Sequence, residues 1–529
     1  MLKMYKEEKW EYKVITLAVL AAAIFFICRS IYGAVVAFPY PRELLEPANI
    51  ALTNQFLSGI NPYSYEILSA DTPGVNFDYP FLNSLIAAAL AKIIGCSAQA
   101  AHLVISLISI VGSGFIGVLM VKDRAKTSVS PALAAIMFMF CHWRFGYISS
   151  APDDFGLFVF LLTMYATVVP GLRNKPFWCS LGITLCLYIK QYFIFVSIGI
   201  FIYMLLYSKK DAVKLLLWTI VINIAVVLVV TFICPLYWTK AFLFTYLAIA
   251  IGGGSQIAHV IDQFKYVIVV FAALFAVLIV SVSITLGRMY RNNNRLERLK
   301  VKENDALALN TIQTVVMIGP LFVIGRNDGA FLSYFLQLWM PSIVVVTLIC
   351  FENIKSLINE RVFVCIYSIL VLFTLYFGFG KLPNHILTSE EIASWDKAYE
   401  YIDTYSKTGK IIYSRSLAYE SFIRNNGESL CGHDSEVRID SIDDLTEAGV
   451  PTELFFDMER VVDQNLEYRA DIIRRAKDHE YSLITFETDA GYTLFNENNC
   501  ENDYDYRELD KFELRVGNMS YEVAFYIPE

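Results

Sequence analysis

Charge is scarce in this 529-residue chain: 18% of its residues are Asp, Glu, Lys or Arg, 56% are hydrophobic, and the mean hydropathy is +0.48. That balance excludes an ordinary soluble protein, in which about a quarter of residues are charged. The 10 cysteines form no C-x-x-C pair and no zinc-ligand spacing, so a structural zinc module is excluded. Walker-type phosphate loops and nucleophile elbows are also missing, which removes P-loop and α/β-hydrolase chemistry. The glycine run 252–254 lacks the strand and helix context of a nucleotide fingerprint and reads as a loop. No small-residue cleavage site closes the first apolar run, which therefore reads as an uncleaved span.

What the chain has instead is a series of apolar runs from residue 14 to residue 379, many approaching the roughly 20 residues needed to cross a bilayer. The predicted fold class is a polytopic α-helical membrane protein. Charge divides the chain in two: residues 381–529 hold 32 acidic and 15 basic residues, whereas residues 1–380 hold 19 acidic and 28 basic ones. We therefore expect a membrane body at 1–380 and a soluble acidic domain at 381–529.

Basic residues in short loops mark the cytoplasmic side. The loops at 122–126, 173–175, 209–210, 288–302 and 355–361 fall on one side if eleven spans run near 14–37, 101–121, 130–148, 153–169, 177–189, 190–208, 213–233, 266–287, 306–325, 332–351 and 362–379. The N-terminus is then cytoplasmic and the tail lies outside, as expected of a cell-membrane protein. Residues 80–96 read as an amphipathic helix on or dipping into the outer face, within a long first outer loop. Lys190 interrupts an apolar stretch too long for one helix, so a break is expected there.

This layout gathers polar residues on the outer side. Glu43 and Glu46, three apart, share one face if the segment is helical. They serve either as acids in a helix's first turn or as a general base beside a charge-tuning partner, with Arg42 at hand. Asp78 is either an N-cap for the helix beginning near Pro80 or a further acid for the same cavity. Asp153 and Asp154 follow Pro152 at the start of a span. They complement the helix dipole or, as the sharper reading, begin a divalent-metal site of hard oxygen ligands. Arg144, Lys190 and Arg326 either snorkel to lipid headgroups or, with Arg42, bind the phosphate of an anionic lipid. His142 and His259 are isolated histidines.

The order of "RELLEPANIALTNQFLSGINPYS", "FDYPFLNSLIAAALAKIIG", "APDDFGLFVFLL", "LGITLCLYIKQYFIF" and "GRNDGAFLSYFLQLWMP" resembles the GT-C superfamily of integral membrane glycosyltransferases. Its relatives include the protein O-mannosyltransferases and the lipid A aminoarabinose transferase. The resemblance covers roughly residues 10 to 380. It implies inverting transfer of a sugar from a polyprenyl-phosphate donor to a glycan, lipid or protein acceptor on the outer face. On that reading Glu43 or Glu46 is the base, Asp78 a supporting acid, and Arg42, Tyr79, Arg144, Lys190 and Arg326 contact the lipid phosphate or substrate. Many members open the loop with adjacent Asp-Glu, whereas two leucines separate the acids here. The choice between them stays open, with Glu43 favoured.

In the tail, "SEEIASWDKAYEYIDTYS" reads as a helix, and "KIIYSRS", "YSLITFET", "KFELRVG" and "YEVAFYIP" read as strands, predicting a small α/β or α+β domain. It either covers the cavity or presents the acceptor. Cys431 and Cys500 form a disulfide or remain free thiols. The acidic balance argues against a nucleic-acid partner. Two rival classes remain: a transporter or flippase of a lipid-linked sugar, against which stands the lack of an internal repeat, and a membrane sensor, which predicts that the outer acids and cations do not converge.

Overall fold

A computed structural model describes residues 5, 7–42, 46–64, 80–142, 148–239, 257–291, 301–326, 332–381, 385–417, 420, 427–429, 442–447, 452–454, 458–488, 494–517 and 519–529. The chain opens with α1 (Trp10–Ala37), which stops because Phe38 precedes Pro39 and is held extended, at φ −70° and ψ 131°. Two helices follow in the segment expected to form the first outer loop, α2 (Glu46–Leu57) and α3 (Leu82–Ile94). The capping position of α3 is Phe81, with no side-chain cap. Asp78, the expected cap of this helix, lies outside the described residues.

A bundle comes next: α4 (Ala98–Lys122), α5 (Val129–Phe140), α6 (Pro152–Val168), α7 (Lys175–Ile189), α8 (Val196–Tyr207) and α9 (Lys209–Ile233). Then come α10 (Ile257–Val270), α11 (Ala272–Arg291), α12 (Ala306–Val316), α13 (Ile318–Ile324), α14 (Leu332–Leu338), α15 (Met340–Ile354) and α16 (Glu360–Tyr376). The break at Lys190 is present: Lys190 is extended at φ −158° and ψ 120°, and a 3₁₀ turn, Gln191–Phe195, leads into α8. Pro152 opens α6 at its first position, where its missing N–H costs nothing, and Asp153 and Asp154 fill the first turn.

By length and hydropathy, six helices among the described residues are fit to span a bilayer, or seven if α10 and the first part of α11, bent by 82°, count as one. Eleven were expected. The four that fall short are α5, α6, α7 and the Gln191–Tyr207 segment, and the expected span at 130–148 ends as a helix at Phe140. For α5, burial accounts for the difference. All 12 residues of α5 are buried, and backbone that is walled by protein rather than lipid need not run the full membrane thickness as helix. The approach of α4 to α5 depends on two small residues. A Cβ at Gly117 would lie 2.8 Å from Ala134 O, and one at Gly114 would meet the Met139 side chain.

Three of the loops predicted to share a side make contacts at one end of the bundle. Arg124 approaches Asp305 at 3.7 Å, Lys175 pairs with Glu303 at 2.9 Å, and Lys9 pairs with Glu360. Buried Glu352 accepts hydrogen bonds from Thr127, Ser130, Tyr367 and the Lys126 amide, the longest of them 3.1 Å. The protein is an integral membrane protein by its apolar helices.

The tail packs at the opposite end, where Ala37 and Tyr40 join its hydrophobic core. Its first helix, α17 (Ser389–Tyr405), begins in a capping box of Thr388 and Glu391. The strands β1 (Lys410–Tyr413), β2 (Gly427–Ser429), β3 (Tyr481–Glu487), β4 (Tyr506–Val516) and β5 (Met519–Pro528) form one sheet in the order β2-β1-β3-β5-β4. β1 runs parallel to β2 and β3, while β5 is antiparallel to β3 and β4. Three further helices lie among the described residues of the tail, α18 (Ile442–Glu447), α19 (Met458–Lys477) and α20 (Glu497–Asn502). Cys500 is a free thiol sealed in the core, and burial pushes it up to about 12; Cys431 lies outside the described residues.

Candidate active site

At the tail-bearing end, residues 148–154 join two groups of buried polar side chains. The first belongs to the turn between α1 and α2. Glu46, fully buried, accepts from the Ser150 amide at 3.0 Å and the Ser150 hydroxyl at 2.7 Å through Oε1, and from the Arg42 amide through Oε2. The Arg42 guanidinium donates to the carbonyl of Ile148. Glu46 thus fastens its own helix start to residue 42 on one side and residue 150 on the other.

The second group starts from the first turn of α6. Asp153 and Lys190, both almost wholly buried, form an ion pair at 2.6 Å, and the Tyr192 hydroxyl lies 2.7 Å from both Asp153 Oδ1 and Gln337 Oε1. The extended Lys190 at the α7 break turns its ammonium toward α6, near the rings of Tyr192 (4.9 Å) and Tyr334 (5.5 Å). A charge buried in this way requires such a partner. Asp154 accepts from Ser106, and His142 Nδ1 lies 3.0 Å from its other oxygen; Ser106 Oγ in turn accepts from the Ser149 amide at 3.4 Å. Ser106, Ser149 and Ser150 connect the two groups.

A third set of contacts brings in α3 and α4. Thr53 donates to Asn49 O at 2.8 Å, so its oxygen accepts from His102 Nε2, also at 2.8 Å. His102 Nδ1 is then an acceptor for the Asn83 amide at 3.4 Å, and the same amide lies 3.5 Å from Ser150 O. His102 is thereby fixed as the neutral Nε2–H tautomer.

Arg42, Glu46, Asp153, Asp154 and Lys190 are thus brought together. Arg326 shares no hydrogen bond or ion pair with them among the described residues: its guanidinium sits over the Phe322 ring at 4.9 Å, and its buried Nε has no hydrogen-bond partner there. Glu43, Asp78, Tyr79 and Arg144 lie outside the described residues. The metal reading of Asp153 and Asp154 gains no donor set. No three His, Cys, Asp or Glu side chains gather as metal ligands among the described residues, and Asp153 is already held by Lys190 and Tyr192.

Sequence reasoning missed Ser106, His102, Asn83, Ser150, Tyr192 and Gln337. One signal was available: Gln99, His102, Ser106, Ser109 and Ser113 recur at steps of three and four along an apolar helix, and all five are buried. That spacing marks a single helix face.

No sequence-family profile matches the chain, and no curated protein sequence does either. Solved structures do. ArnT from Cupriavidus metallidurans bound to undecaprenyl phosphate aligns over 96% of this chain and 97% of its own, with a TM-score of 0.55 at 10% identity. The apo state of the same protein gives 0.52 at 11% identity, over 96% and 98%. The oligosaccharyltransferase AglB from Archaeoglobus fulgidus, in complex with an inhibitory peptide and a dolichol-phosphate, gives 0.46 at 11% identity, over 97% of this chain and 74% of its own. The likeness to ArnT is one of fold and runs through both body and tail. At that level it bears out the GT-C resemblance read from the sequence.

Proposed function

We propose that the chain is an inverting glycosyltransferase that moves a sugar from a polyprenyl-phosphate carrier to an acceptor hydroxyl at the outer face of the cell membrane. The observation that carries this reading is the full-length likeness to ArnT bound to undecaprenyl phosphate. The convergence of acids and cations beneath the tail supports it and speaks against a sensor whose outer charges do not meet.

The base is Glu43. Glu46 already serves three donors and holds the turn, whereas Glu43 directly follows Arg42, the residue that this clamp fixes. The Glu43 carboxylate removes the proton of the acceptor hydroxyl, whose oxygen forms the new bond at the anomeric carbon. The bond from that carbon to the carrier phosphate breaks, and the configuration inverts. General-base assistance of this kind contributes roughly 10²–10⁴-fold. Arg144 and Arg326, with Tyr79, are assigned to stabilise the phosphate as its charge develops, and Asp78 to support the base. Lys190, matched in charge by Asp153, holds the α7 break in place and approaches the phosphate only as part of that pair. The basic end of the bundle is cytoplasmic and the tail is outside.

The test is purified protein in proteoliposomes with a panel of undecaprenyl-phosphate hexoses and cell-envelope acceptors. Acceptor-dependent release of undecaprenyl phosphate is expected. Movement of the intact lipid-linked sugar between leaflets without cleavage would instead establish a flippase.

A further inference from the structure

We propose that the tail positions the acid-bearing turn, with Tyr40, Trp395 and Asp396 as positioning residues for the transfer step. This rests on the function proposed above. Tyr40 lies two residues before Arg42 and three before Glu43 in the chain. Its ring stacks on Trp395 of α17, with centroids 5.4 Å apart and planes 17° apart, and meets Tyr399 at 5.4 Å. Its hydroxyl donates to Asp396 at 2.5 Å. Burial, reinforced by that carboxylate, pushes the Tyr40 phenol up to about 12, so it remains a donor throughout the physiological range.

Trp395 is itself fixed. It is fully buried, and its indole N–H donates to the carbonyl of Arg515 in β4 at 2.9 Å, so its ring links the sheet to the turn. From the membrane body, the Gln99 side-chain amide donates to Pro39 O at 3.1 Å and Tyr40 O at 3.4 Å. Ile50 of α2 and Ala98 of α4 pack with Tyr399 in a second patch of the same contact. Residues 39–42 are therefore gripped by the tail on one side and by the body on the other, immediately before the proposed base. A stacked aromatic pair is rigid and directional, and a shift of about 1 Å in a reacting group can cost on the order of 10²-fold in rate.

The test combines hydrogen exchange with kinetics on the full-length protein in proteoliposomes. Trp395→Ala and Tyr40→Ala should each raise amide exchange in residues 38–50 at least tenfold, while residues 123–131 at the far end stay unchanged. Both should lower kcat roughly 10–100-fold, with KM for the lipid-linked donor altered less than threefold. The double variant should be no worse than either single one, and Tyr40→Trp should recover most of kcat. Unchanged exchange at 38–50 in Trp395→Ala overturns the proposal. So does raised exchange with wild-type kcat in the folded fraction. A wild-type protein that transfers no sugar refutes the function proposed above, and the exchange arm still decides whether the tail holds the turn.

Discussion

Replacing Glu46 and Glu43 by glutamine should separate a structural acid from a chemical one. Glu46 receives three hydrogen bonds in a fully buried setting, from the Ser150 amide, the Ser150 hydroxyl and the Arg42 amide. In Glu46→Gln the remaining carbonyl can still serve Ser150, but the new NH₂ group confronts the Arg42 N–H, donor against donor. One charge-assisted hydrogen bond is lost and a buried amide is left unpaired, together about 2–3 kcal/mol. Glu46→Ala removes all three acceptor contacts and should cost more, roughly 3–6 kcal/mol. Intrinsic-fluorescence thermal unfolding in micelles reads both as lowered midpoints, with Glu46→Ala lower than Glu46→Gln. The folded fraction of Glu46→Gln should keep its rate within tenfold of wild type. Glu43→Gln should leave the midpoint in place and slow turnover at least 10²-fold. A Glu46→Gln protein with an unshifted midpoint and no transfer would refute the reasoning and make Glu46 the base.

Lys190→Met should cost about 3–5 kcal/mol by stranding Asp153, and Lys190→Met with Asp153→Asn should cost less than the two single changes added together. A strictly additive double-mutant cycle would remove the buried pair from the account. Gly117→Ala places a methyl group 2.8 Å from Ala134 O and should cost about 1–3 kcal/mol by prising α4 from α5; an unchanged unfolding midpoint would contradict the close approach. In the tail, burial alone would raise the Asp510 carboxyl, but Lys397 and Tyr401 outweigh it and hold Asp510 below the usual range. A carboxyl depressed in this way stabilises the fold above its unfolded value of about 3.9 and loses that contribution as pH falls through the folded value. Trp395 fluorescence should thus report loosening of the tail below about pH 4, and Lys397→Met should flatten that acid limb. An identical acid limb in the variant would contradict the assignment.

The features legible in the sequence were those in which a local conflict forces one outcome. A lysine inside an apolar run has to break a helix or find a partner, and at Lys190 it does both. Short runs rich in apolar residues put β3 and β5 where they lie, and a hairpin joins β4 to β5. Hydropathy could not show that α5 ends at Phe140, because an apolar run looks alike whether lipid or protein surrounds it. β2, with three residues, carries too little pattern to be seen, and α19 was overlooked despite its length. The polar hub is non-local: Asp153 finds Lys190 37 residues away and Glu46 finds Ser150 104 away. Each residue alone reads as a helix cap or a snorkelling cation. Only their burial together distinguishes them from surface charges.

The central claim is that Glu43 deprotonates the acceptor at a membrane-embedded polyprenyl-phosphate site. It is tested most directly by single-turnover release of undecaprenyl phosphate from the undecaprenyl-phosphate hexose that the wild type uses, in proteoliposomes, with wild type and Glu43→Gln compared at equal folded concentration. The account predicts that the variant binds the donor as wild type does and releases carrier phosphate at least 10²-fold more slowly. Release at the wild-type rate by Glu43→Gln would contradict it.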